Sequence, residues 1–145
     1  MAVVRENSYG NAQFSVEIEG LANSRFEQVL LPEIGVEVVE YREGNDPERS
    51  TRKLPGRPYL SNLVLRRGFT GLLDLYQWWL QMAQGQVDAR RSVAVTLLDE
   101  ERNPVTRWIF HNAFPTRYNF SPLDAMDGST LVESVDLAFD SASME

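Results

Sequence analysis

His111 is the only histidine in the chain, so any imidazole chemistry would run through it. A nucleophilic triad also needs a nucleophile and an orienting acid in space, and His111, set between Phe110 and Asn112, reads as a strand or turn residue. A zinc site needs several His, Cys or carboxylate ligands, yet the chain has no cysteine and neither an HExxH nor a CxxC motif. The acidic run Asp99-Glu100-Glu101 stands directly before Asn103-Pro104 and reads as a solvated hairpin tip. Asp124 and Asp127-Gly128 have the chemistry of a loop but lack the regular acidic spacing of a calcium site. Gly68 and Gly71 flank a helix start without the lysine and spacing of a phosphate-binding loop. No catalytic, cofactor-binding or metal-ligating residue is therefore assigned, and no cofactor is expected.

Binding is the more promising chemistry. The net charge of −7 argues against the phosphate backbone of nucleic acid as the main target. Of the 14 basic residues all but Lys53 are arginine, whose planar fork suits partly buried interface contacts; a GC-rich codon bias gives the same composition. Arg66-Arg67 at a strand end reads as a surface or interface feature. Trp78 and Trp79 are adjacent and cannot share a helix face. The expectation is that Trp79 joins the core stripe and Trp78 seeks a groove or a partner, since an exposed tryptophan marks an interface.

The elements that must position these residues follow from periodicity. Phe14, Val16 and Ile18 alternate with polar residues up to Gly20, a half-buried strand. Val36 and Val38 begin a second alternation that Val39 and Tyr41 continue on the opposite parity, which implies a bulge near Val38 or burial on both faces. The stretch 43–58, with Gly44, Asn45, three prolines and charges of both signs, reads as a long loop, a length that is usually functional. Leu63, Val64 and Leu65 open another strand. Leu72, Leu75, Tyr76, Trp79, Met82 and Ala83 then fall at helical spacing, with Thr70 as N-cap and Gly85 as stop. After the helix, 93–98 and 105–110 form a hairpin, 113–118 extends its second arm with a break at Pro115, and 131–139 is the last strand, Glu133 being the one polar exception in its apolar row.

Six or seven strands and one helix, with hairpin-length links, predict a mainly β domain over 1–145. The fold class is two antiparallel sheets forming a sandwich or partly open barrel with one packed helix. No run approaches a membrane span, and the first residues lack the regions of a signal peptide, so assembly in the cytoplasm is expected.

Several runs in this order resemble the tail tube protein family of contractile-tailed phages and extracellular contractile injection systems. The most specific is Tyr41-Arg42-Glu43-Gly44-Asn45-Asp46-Pro47, preceded by Val38-Val39-Glu40 and followed by Arg52-Lys53-Leu54-Pro55-Gly56. Asn62-Leu63-Val64-Leu65-Arg66-Arg67-Gly68, the helix with Trp78, Leu97-Leu98-Asp99-Glu100, Asn103-Pro104-Val105, Trp108, Asn112-Ala113-Phe114-Pro115 and Glu133-Ser134-Val135-Asp136-Leu137-Ala138 extend the likeness across the chain. Leu30-Leu31-Pro32-Glu33-Ile34 departs from it, standing where a more polar stretch belongs.

The resemblance implies a fold similar to the haemolysin-coregulated protein of type VI secretion, and no catalysis. It implies a homo-hexamer stacking into a tube, with a contractile sheath, baseplate or spike, tube-terminating proteins, and a payload of DNA or protein effector in the lumen. It further implies that the particle becomes a phage tail or an extracellular or membrane-anchored injection device. Subunit contacts are expected at 41–47 and 52–56, at Arg66 and Arg67, and at Trp78. The rival readings are a small antiparallel-barrel enzyme or ligand-binding domain, and a secreted effector-chaperone ring.

Overall fold

The computed structural model describes residues 2–23, 25–42, 44 and 51–145. Nine strands and one α-helix are found among them: β1 (Phe14–Ile18), β2 (Gln28–Leu30), β3 (Ile34–Tyr41), β4 (Arg52–Leu60), β5 (Leu63–Gly68), α1 (Asp74–Ala83), β6 (Arg91–Leu98), β7 (Pro104–Phe120), β8 (Val132–Ala138) and β9 (Ser141–Met144). All pairings are antiparallel. Seven strands make one sheet, ordered β1-β6-β7-β8-β5-β2 with β9 also on β7, and β3–β4 forms a separate two-stranded sheet.

β7 explains how one sheet encloses a core. Its first half pairs with β6 and its second half with β8. Between them Asn112 adopts a left-handed φ of 55°, which asparagine tolerates better than most residues. The register then shifts between Pro115 and Arg117, where proline contributes no donor. The strand thus continues through the expected break at Pro115 and turns the sheet back on itself. Val93, Val95 and Phe110 from one half face Leu63, Leu65, Val135 and Leu137 from the other, all buried. The sheet does not close into a barrel: β1 and β2 remain its edges, with a groove of about 710 Å³ between them lined by Phe14, Val29, Leu97 and Trp108.

α1 caps this core along Leu75 and Trp78, with Met82 packed at its margin. The helix begins at Asp74, later than a cap at Thr70 would place it, and the Asp74 carboxylate accepts the Leu75 N–H (2.8 Å) in its first turn. Its end follows the expectation: Gly85 turns left-handed (φ 78°), Gly85 N–H bonds to Met82 O and Gln86 N–H reaches back to Gln81 O, satisfying orphan carbonyls.

The tip between β6 and β7 is a turn organised by Asp99. Its carboxylate accepts the N–H groups of Glu101 and Asn103 at 2.9 and 2.8 Å. The N-terminal segment lies against this tip through a two-pronged pair, Arg5 Nη1 and Nη2 to Glu100 Oε2 and Oε1, both 2.8 Å. These hydrogen bonds from Arg5 hold the Glu100 carboxyl at about 2, below its usual 4.5. A depressed folded value means that the tie is complete above the usual carboxylate range and is lost as pH falls towards 2. The Glu100 carboxyl resonance followed by NMR should titrate near pH 2 in the native chain and return towards 4.5 in Arg5→Gln; a native midpoint near 4.5 would show that the pair does not persist in solution.

Candidate assembly surfaces

β4 corrects the expectation of a loop over 43–58. Residues Arg52, Lys53, Leu54, Pro55 and Gly56 lie in a strand paired to β3, from Ile34↔Leu60 at the base to Tyr41↔Arg52 at the far end. Alternation was hard to see because β4 carries prolines at 55 and 58, and because two steps of β3 (Val36 to Val38) oppose three of β4 (Pro58 to Pro55). That register shift is the bulge implied near Val38. Two-stranded pairing explains the prolines: each strand of the arm is an edge, where a missing donor is tolerated. Glu43, Asn45, Asp46 and Pro47 lie outside the described residues, and Gly44 is exposed.

The arm is apolar on both faces. Val36 and Val38 stand on one side and Val39 and Tyr41 on the other, all exposed together with Ile34 and Leu54. Tyr59 lies across Gly35 so closely that a Cβ there would fall 2.3 Å from its ring. The base is clamped by Ser61 N–H to Glu33 O (3.1 Å) and Glu33 N–H to Ser61 Oγ (2.6 Å). Beyond the base the arm makes no extensive contact with any other described element. An isolated hairpin is marginal in water, so this surface calls for a partner.

Arg66 and Arg67 separate by strand parity. Arg66 faces outward and donates to Gln28 Oε1 (2.9 Å) and Ser134 Oγ (3.3 Å). Arg67 shares the inward parity of Leu63 and Leu65 and is 3% exposed, which removes it from the expected contact surface. It pairs with Glu133 of β8, directly opposite in register, and with Asp74 at the head of α1. Tyr118 of β7 donates its hydroxyl to Glu133. Burial works against the Arg67 charge, but these hydrogen bonds hold its pKa above the usual guanidinium value. Burial, together with the bond to Glu133, raises the Tyr118 phenol. The cluster ties three strands to the helix. Its signal in the sequence was Glu133, 1% exposed, sitting in an apolar row.

Trp78 is also corrected. It is 1% exposed, and its indole N–H donates to Ala89 O. Trp79 is only half-buried and stacks on Tyr76. The core-facing stripe keeps Leu75 and Met82 from the expected one but turns towards Trp78 and away from Trp79.

Two exposed features had no counterpart in the sequence reading. One is a row of aromatic rings linking Trp79, Tyr76, Tyr118, Phe120 and Phe69, of which Tyr76 and Phe120 are exposed and the other three half-buried. The other is the loop 121–131, on which Leu123 is 86% and Met126 93% exposed. Among the described residues no group of acidic, histidine or cysteine side chains is arranged to hold a metal ion.

A family model described as T4-like virus tail tube protein gp19 matches residues 10–143. No curated protein sequence matches the chain. Among solved structures it is similar to a chain of the sheath–tube complex of an extracellular contractile injection system, PVC, in its extended state: 25% identity, TM-score 0.83, covering 97% of this chain and 93% of that one. It is similar to a chain of the six-fold symmetrised anti-feeding prophage baseplate at 23% identity and TM-score 0.83, covering 97% of each. Hcp1 from Flavobacterium johnsoniae shares the fold at 15% identity and TM-score 0.55, covering 90% of this chain and 93% of that one.

Proposed function

The chain belongs to the T4-like virus tail tube protein family, and from that premise we propose that this structural tube subunit forms hexameric rings that stack around a lumen inside a contractile sheath. The role is mechanical and involves no catalysis. Sheath contraction drives the tube as a rigid body through a target envelope, and payload follows through the lumen. Sheath, baseplate and terminating proteins are its partners, and it assembles in the cytoplasm before becoming part of an extracellular particle. Support for these partners comes from the solved sheath–tube complex and six-fold baseplate whose chains share the fold. No helix among the described residues is long and apolar enough to cross a membrane.

The observation that carries the proposal is the β3–β4 arm. Large apolar side chains exposed on both faces of a projecting two-stranded sheet are costly in a lone subunit and productive in a repeating one. The free edges of β1 and β2 supply a second means of joining, since an unpaired strand edge is a template for a neighbouring chain.

Val36 and Pro58 are cross-strand partners, so replacing 37–57 with Asn-Gly would close a shortened hairpin with a favoured two-residue turn. This variant should keep its β-rich circular dichroism and its buried tryptophan fluorescence while electron microscopy finds no tubes. Tubes of native length from the shortened chain would show that the arm carries no assembly contact.

A further inference from the structure

The aromatic row adjoins the loop 121–131, which follows Phe120 directly in the chain. Ring centroids are 6.3 Å apart from Trp79 to Tyr76, 6.2 Å from Tyr76 to Tyr118, 5.2 Å from Tyr118 to Phe120 and 5.3 Å from Phe120 to Phe69. Phe69 N–H donates to Leu131 O at 2.9 Å, which joins the end of the row to the base of the loop. The loop is ordered by its own side chains. Asp124 Oδ1 accepts Met126 N–H (3.0 Å), Ser129 Oγ donates to Asp127 Oδ2 (2.5 Å), and Ser121 Oγ accepts Val132 N–H (2.9 Å). Leu123 and Met126 are therefore presented to solvent on a held turn.

The charges carried by β4 and by the loop 121–131 are opposite. The loop 121–131 carries Asp124 and Asp127 and no cation. β4 carries Arg52, Lys53 and Arg57 and no anion; on the facing strand Glu40 stands opposite Lys53 and Glu37 opposite the bulge that holds Arg57, so these five residues leave the arm with a net positive charge.

We propose that the β4 side of one subunit's arm docks on the aromatic row and the 121–131 loop of a second copy of this chain. The inference rests on the reading of the arm as an assembly element and deepens it by naming the surface that receives it. Burial of Leu54 and its apolar neighbours against Leu123, Met126 and the rings supplies the affinity. Arg52 and Arg57 against Asp124 and Asp127 fix the register and reject other placements. Each copy donates an arm and receives one; where the copy that receives an arm passes its own to a third, the contact is heterologous and propagates round a ring or along a stack.

The chain has no cysteine, so introduced thiols are the only ones. Chains bearing Leu54→Cys and chains bearing Leu123→Cys are mixed, assembled and treated with a short bismaleimide. A covalent dimer containing one chain of each kind is the expected product on a denaturing gel. In parallel, Asp124→Arg with Asp127→Arg should reduce the yield of rings and tubes at least about tenfold, and adding Arg52→Glu with Arg57→Glu to the same chain should restore it. Restoration would separate a lost contact from a lost fold. Native-like assembly without the mixed dimer, and with no response to the aspartate reversal, would overturn this docking while leaving the tube standing. Intact tubes that lose only sheath binding would assign the patch to the sheath, also overturning it. A wild-type chain that forms no ring or tube at all would overturn the tube reading itself.

Discussion

Replacing Arg67 with methionine is expected to destabilise the fold by about 3–5 kcal/mol, the cost of breaking a buried ion pair by removing one partner. The reason lies in what is left behind. Glu133 is 1% exposed and its charge is compensated by Arg67 from the facing position of β5 and by the Tyr118 hydroxyl. Asp74, at the head of α1, would lose the same guanidinium. The loss therefore falls on three strands and the helix together. Removing the cation together with its partners on β7 and β8 should hurt far less than removing the cation alone. Arg67→Met with Glu133→Leu and Tyr118→Phe keeps the volume apolar and leaves no buried charge on β8, and such replacements are often close to neutral. Urea unfolding should be measured at concentrations where sedimentation shows a monomer, because assembly would raise the apparent stability by mass action. A loss below about 1 kcal/mol for Arg67→Met would place the pair among weak, solvent-screened ones and remove its structural role. If the triple variant proved as unstable as the single one, packing at position 67 and not charge would be the cause.

The parts of this molecule that were legible in the sequence are those where one physical signal acts alone. β1 alternates cleanly because one of its faces is packed and the other is not, and Gly85 stops the helix because only a left-handed residue allows the closing bonds. The 99–103 turn follows from its acidic composition and the Asn103-Pro104 that ends it. Legibility failed where two signals compete. Proline at 55 and 58 spoke for a loop, but the arm's strands are both edges and accept them. β2 and β9 are three and four residues long, too short for periodicity to register. Arg67 looked like a surface residue because its partners, Glu133 and Asp74, are 66 and 7 positions away. Strand parity did contain the answer: Leu63, Leu65 and Arg67 share one face, and Glu133 interrupts the row opposite. The rings of the candidate surface come from α1, β7 and the residue after β5, so only the fold brings them together.

Trp78→Ala should cost about 3–5 kcal/mol, the range for truncating a large buried aromatic, while Trp79→Ala should cost about 1 kcal/mol, an ordinary value for a partly exposed position. Adjacent helical residues differ by about 100° in direction, so the pair tests which face of α1 meets the sheet. Trp78 fills the space between the helix and the core and donates its indole N–H to Ala89 O. Alanine would leave both a cavity and a carbonyl without its donor, and the second loss alone is about 1–3 kcal/mol where water cannot reach it. Trp78→Phe should separate the two: most of the packing returns, but the hydrogen bond does not. Trp79 stacks on Tyr76 at 6.3 Å at the end of the aromatic row, so its loss should be felt in assembly more than in folding. Two readouts are needed, urea unfolding of the monomer and the yield of rings and tubes by electron microscopy. The expected pattern is a Trp78→Ala chain that unfolds early, and a Trp79→Ala chain that folds almost normally and assembles poorly. The reverse ordering in the unfolding experiment would mean that the helix packs on the sheet through its Trp79 face, and the burial of Trp78 would be wrong.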